Sequence, residues 1–177
     1  MNEREFLNCV LQSAGRGDFQ EAWDSHAAWE ILAQVTIATF LKNGYGVTKV
    51  REISYVGSLE HCDFGFTISG ETYGVELKVE NPVGNTFGGL PLKQAIMSDV
   101  NKLHAFNATH KWFLVIARSN AAKNELREIA ERGDSWVLDE EREFLAALCN
   151  IQTQPHYLPH MRHDKAVVKE EGKNPWI

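Results

Sequence analysis

Apolar and polar residues alternate with a period of two through residues 62–79: Cys62, Phe64, Phe66 and Ile68, then a polar Ser69-Gly70 pair, then Val75, Leu77 and Val79. Successive side chains of a strand point to opposite faces, so the pattern predicts two half-buried strands joined by a tight turn. A loop of Ser69 and Gly70 sets Asp63 opposite Glu76, whereas a loop centred on Gly70-Glu71 sets Asp63 opposite Lys78. Either register gathers Asp63, Glu76 and Lys78 on one face and turns Val75, Leu77 and Val79 into a core. Upstream the period changes. Trp29, Ile31, Leu32, Val35, Ile37, Phe40 and Leu41 cover most of a helical circumference, which predicts one long buried helix over residues 21–43, opened by Asp18-x-x-Glu21 in capping-box spacing and stopped at Gly44.

Downstream of the hairpin, the glycine-rich loop 84–91 (GNTFGGLP) leads into a predicted amphipathic helix over residues 92–106. The uninterrupted apolar run KWFLVIARS, residues 111–119, predicts a central strand covered on both faces. Residues 121–132 predict another amphipathic helix stopped by Gly133, residues 135–138 (SWVL) a short edge strand, and residues 139–149 (DEEREFLAALC) a further helix. Helices alternating with strands in this way give an α/β domain over residues 1–150. Residues 151–177 form a basic, histidine-rich tail or arm; His156, His160 and His163 fall at i, i+4 and i+7, but Pro155 and Pro159 interrupt the helix that would align them on zinc.

At 177 residues and 44% hydrophobic content the chain is long enough to bury a core without disulfide or metal staples. Its three cysteines, Cys9, Cys62 and Cys149, are isolated and odd in number, which suits a reduced, cytoplasmic setting. The first residues are too polar for a signal peptide and no apolar run approaches a membrane span, so no membrane partner is expected. A net charge of −6 argues against a tight, salt-resistant grip on nucleic acid, although bound cations and a local basic strip can coexist with acidic helix faces.

The chemistry concentrates in the hairpin. Two carboxylates and an ammonium on one patch of an apolar hairpin are costly unless they bind something. Carboxylate oxygens suit a hard divalent cation such as Mg2+, which keeps water and substrate phosphate as its other ligands, and a lysine beside them can orient water or offset charge on a phosphate. Glu30, set in the apolar helix, is either a further carboxylate for that cation or part of one wet stripe with His26 and Gln34.

The segment CDFGFTISGETYGVELK, with Asp63, twelve intervening residues and then Glu76-Leu77-Lys78, resembles the PD-(D/E)xK nuclease superfamily, which includes type II restriction endonucleases and Holliday-junction resolvases. The resemblance extends over residues 21–119 through the order helix, strand, hairpin, helix, buried strand, and it implies a restriction-endonuclease-like three-layer core, a mixed β-sheet flanked by helices. It places the metal-binding acids at Asp63 and Glu76, the catalytic lysine at Lys78, and a third acid, on the helix before the first strand, at Glu30. It further implies Mg2+ (with Mn2+ able to substitute), phosphodiester hydrolysis in nucleic acid, DNA in the first instance with endonucleolytic action favoured, and a homodimer where both strands are cut. Cys62 stands where the family often has proline. Gln94 falls where some branches place a glutamine, but Ser98 replaces the tyrosine that usually follows, so Gln94 and Lys102 are expected on a solvated or DNA-facing side of their helix, as substrate contacts at most. Two other functions fit the same residues: a catalytically idle binding or assembly module of that fold, and an unrelated acidic α/β regulatory or immunity protein.

Overall fold

A computed structural model of the chain describes residues 1–14, 17–26, 29–47, 50–54, 61–133 and 135–151, with the backbone alone at residues 51 and 52. Among these residues the elements run α1 (Glu3–Ala14), α2 (Gly17–Asp24), α3 (Trp29–Tyr45), β1 (Arg51–Ser54), β2 (His61–Ile68), β3 (Glu71–Asn81), β4 (Thr86–Phe87), α4 (Leu92–Ala105), β5 (His110–Ala117), α5 (Asn120–Glu131), β6 (Trp136–Glu141) and β7 (Phe144–Asn150). The strands form one mixed seven-stranded sheet in the order β1-β2-β3-β5-β7-β6, with β4 pairing onto β3. Neighbours are antiparallel except β3 and β5, which are parallel and joined through α4. None of the described helices is long and apolar enough to cross a membrane.

The hairpin takes the first of the two registers. Ile68 pairs with Glu71 and Phe64 with Val75, leaving Ser69 and Gly70 as a two-residue loop. Both loop residues have positive φ, 53° and 85°, the backbone of a type I′ turn whose twist matches that of the strands it joins. Gly70 carries that conformation without strain.

Period-two alternation divides the core into two layers. Phe64, Phe66, Val75, Leu77, Val79, Trp112, Leu114 and Ile116 face α1, α2 and α3 across one side of the sheet. Phe113, Val115, Ala117, Leu145, Ala147 and Cys149 face α4 and α5 across the other. Trp112 anchors the first layer against Phe6 of α1, with ring centroids 5.3 Å apart. Truncating a buried aromatic of this kind costs about 3–5 kcal/mol.

Two expectations give way. Residues 21–43 are not one helix: α2 ends at Asp24, a turn with His26 at φ 54° intervenes, and α3 starts afresh at Trp29, which puts Glu30 in its first turn. Residues 139–149 are not helical. The apolar run of β7 is buried on both faces between β5 and β6, and Arg142-Glu143 close a two-residue turn behind the Glu141–Phe144 pair. Burial on both sides removes the alternation that would mark a strand, while Leu and Ala favour a helix only in the absence of such neighbours. The edge strand expected at residues 135–138 is β6, which runs on to Glu141. The tail, with His156, His160 and His163, lies outside the described residues.

Candidate functional site

Strand β2 parts from β3 at Asp63. Their pairing stops at Phe64 opposite Val75, and one further step of the same register sets Asp63 against Glu76. Cys62 joins the core layer under α4 and α5, whereas Phe64 joins the layer under α1 to α3, so β2 swivels about Asp63 instead of continuing its alternation. The freed edge of β3 is then taken over by side chains. The Leu77 amide donates to Asp63 Oδ2 at 2.8 Å, and Gln34 of α3 donates from Nε2 to Asp63 Oδ1 at 2.7 Å. Two residues along the same edge, the Val79 amide faces the Glu30 carboxylate and works to lower its pKa. The first residue of α3 is itself pinned, because the buried Trp29 indole donates to the Glu80 carbonyl at 2.6 Å. Two carboxylates that are distant in sequence thus converge on alternate amides of one strand.

Between those amides, Lys78 leaves the strand on the opposite face from Leu77 and Val79. Its Nζ lies 2.8 Å from Asp99 Oδ2 of α4 and donates to the Leu77 carbonyl at 3.3 Å. Asp99 is 2% exposed, and its other oxygen, Oδ1, is 3.3 Å from Lys102 Nζ. The backbone of Gly88, at φ 60°, lies over the aliphatic stem of Lys78, 3.6 Å from Cε to where a Cβ would stand. A shallow depression of about 260 Å3, lined by His26, Trp29, Glu30, Val79, Pro82 and Gly88 among others, opens beside Glu30.

The electrostatics are unbalanced. Burial raises the Glu30 carboxyl above its ordinary value; Lys78 counters this, while Asp63 and Asp99 add to it. Burial works against the charge on Lys78, yet Asp99, with Glu30 and Asp63 behind it, outweighs burial and raises its pKa. Glu76 is 4% exposed and shares the face of Lys78 by strand alternation. Burial, then Glu76 and more weakly Asp63, push the Cys62 thiol up, so both carboxylates lie near that one sulfur.

Asp63, Glu30 and Lys78 are therefore brought together, with Glu76 adjoining on the Cys62 side. Gln94 is exposed near the start of α4, away from the group, and Lys102 meets Asp99 Oδ1. Neither Asp99 nor Gln34 was expected as a partner in the site, and Gln34, expected on a wet stripe with His26, is 7% exposed; a signal for each was nonetheless present. Asp99 occupies the apolar stripe Leu92, Ala95, Ile96, Val100, Leu103, and Gln34 the stripe Ala33, Ile37, Ala38, Leu41; a polar group at a core position needs a partner.

No family model, curated protein or solved structure matches the chain. The donors themselves suit a hard divalent cation. They are oxygens throughout, two carboxylates on one strand edge with the Leu77 carbonyl beside Lys78, and one of them has its charge held back by burial. Among the described residues no three His, Cys, Asp or Glu side chains already surround a common point. One or two carboxylates completed by water and phosphate is the coordination Mg2+ favours, so Asp63 and Glu30, with Glu76 adjoining, would hold such an ion.

Proposed function

We propose that the protein is a metal-dependent nuclease of the restriction-endonuclease-like fold, hydrolysing phosphodiester bonds in DNA at the group Asp63, Glu30, Glu76 and Lys78. One observation carries this: where β2 leaves β3, the Asp63 carboxylate docks on the Leu77 amide and the Glu30 carboxylate comes up to the Val79 amide, on either side of Lys78 in the strand. The order α3, antiparallel β1-β2-β3, α4, then β5 parallel to β3 supports it, being the order that the resemblance implies.

Bound Mg2+ would polarise a phosphate oxygen and acidify a water. The chain supplies the remainder. Asp63 is fixed by two hydrogen bonds and needs no reorganisation to present its oxygens. Glu30 is partly buried and gains most from a neighbouring cation. Lys78, held charged, offsets the charge that builds on the phosphate as the bond breaks. The depression beside Glu30 gives the scissile phosphate a way in.

The test is incubation of supercoiled plasmid, single-stranded DNA and RNA with Mg2+ or Mn2+, in parallel with EDTA. Cation-dependent cutting of DNA is expected; no cutting of any substrate with either cation would remove the proposal. The burial of Glu76 favours a second reading, an idle binding module of the same fold. Calorimetric titration with Mn2+ separates the two, because an idle module takes up no cation here.

A further inference from the structure

Asp99 has no part in the chemistry above, yet it is the most deeply buried carboxylate of the group, with 3% of its side chain exposed. It comes from the opposite layer, α4, and its two oxygens face two ammonium groups, Lys78 at 2.8 Å and Lys102 at 3.3 Å. Lys78 sits on β3 between two anionic partners: Asp99 on the α4 side, and Glu30 with Asp63 at the freed edge. An ammonium lying across Glu30 and Asp63 would neutralise the same oxygens that a divalent cation needs. The lysine and the cation are therefore rivals for one place.

We infer that Asp99 is a positioning residue that draws the Lys78 ammonium off Glu30 and Asp63, so that lysine and metal occupy the site together; this presupposes the cation site proposed above. Lys102, on the second oxygen, steadies the Asp99 carboxylate in the orientation that faces Lys78. Without the Asp99 charge, Glu30 and Asp63 still attract Lys78, and the ammonium falls onto them.

Calorimetric titration with Mn2+ in the absence of nucleic acid tests this. Asp99→Asn should weaken Mn2+ binding by about tenfold or more. Adding Lys78→Met, which keeps the stem but removes the charge, should return the double variant to near wild-type affinity. Loss of a purely structural contact does not predict that recovery. Lys78→Met alone, which needs no change on α4, should bind Mn2+ within about threefold of wild type, because the ammonium is already held aside. Equal binding by wild type and Asp99→Asn, a double variant as weak as Asp99→Asn, or a rise of about tenfold in Lys78→Met would each overturn the inference. Wild-type protein that takes up no Mn2+ would instead overturn the cation site itself.

Discussion

Glu140 and Glu30 are both carboxylates in charged clusters, and they respond to those clusters in opposite ways. At Glu140 the two oxygens meet two cations: Lys123 Nζ stands 2.7 Å from Oε1 and Arg127 bonds Oε2. The hydrogen bond from Lys123, opposed by burial and helped by both positive charges, lowers the Glu140 carboxyl below its ordinary value. At Glu30 burial dominates and raises the carboxyl, the nearest cation is engaged with Asp99, and two more acids lie close by. One cluster is complete within the chain and fastens β6 to α5. The other is in deficit, and an external cation gains most where the protein leaves a deficit of this kind.

The largest effect should come from removing the Lys78 ammonium from the unbalanced cluster. Lys78→Ala should reduce DNA cleavage on the order of a hundredfold or more while circular dichroism shows an intact fold. Normal turnover in a folded variant would move the catalytic role elsewhere. Next in size, Asp63→Asn should weaken Mn2+ binding by about tenfold, read by calorimetry, since it removes a charge while leaving an oxygen for the Leu77 amide. Unaltered affinity would place the cation away from the freed edge of β3.

The smallest effects test the comparison by their sign. Raised in the folded state, the Glu30 carboxyl opposes folding once ionised, so its favourable contribution is present below the ordinary carboxylate pKa and lost as pH rises through the folded value. Glu30→Gln in EDTA should therefore melt higher than wild type near neutral pH, with the gain fading in acid. Glu140, lowered in the folded state, contributes above the ordinary carboxylate pKa and loses that contribution as pH falls through its folded value. Glu140→Gln should melt lower at neutral pH by no more than about 0.5 kcal/mol, because its side chain is 37% exposed and screened by solvent. Shifts of the same sign in thermal melts at pH 5 and pH 8 would erase the distinction between the two clusters.

The hairpin was legible in the sequence because its alternation, its Ser69-Gly70 turn and its charged face are all local. Which of two registers it takes was not, since both conserve the faces; the positive φ of Ser69 decides it. Asp63 and Lys78 could be named from spacing, but their immediate partners could not. Gln34 reaches Asp63 across 29 positions, and Asp99 reaches Lys78 from another layer. The break before α3 was hidden for a related reason. Apolar Trp23 and Trp29 lie on either side of it and pack edge to face, 5.4 Å between centroids, so the hydrophobic pattern runs through a turn that the backbone makes. β7 was misread because Leu145, Ala146, Ala147 and Leu148 acquire strand neighbours only when β5 and β6 close around them.

That last strand sets the timetable of folding. β7 lies between β5 and β6, and α1 packs on β6 and β7, with Asn150 donating to Glu3 at 2.7 Å across 147 positions. As the chain emerges from the ribosome, the meander β1-β2-β3 and the crossover to β5 can assemble early, but β5 then waits with an open apolar edge and α1 with only part of the sheet it packs on. Only when residues 144–150 arrive can the sheet close. Contacts this far apart make loop closure the slow step, so the protein should fold late and all at once, with the open edge of β5 as its point of exposure to aggregation.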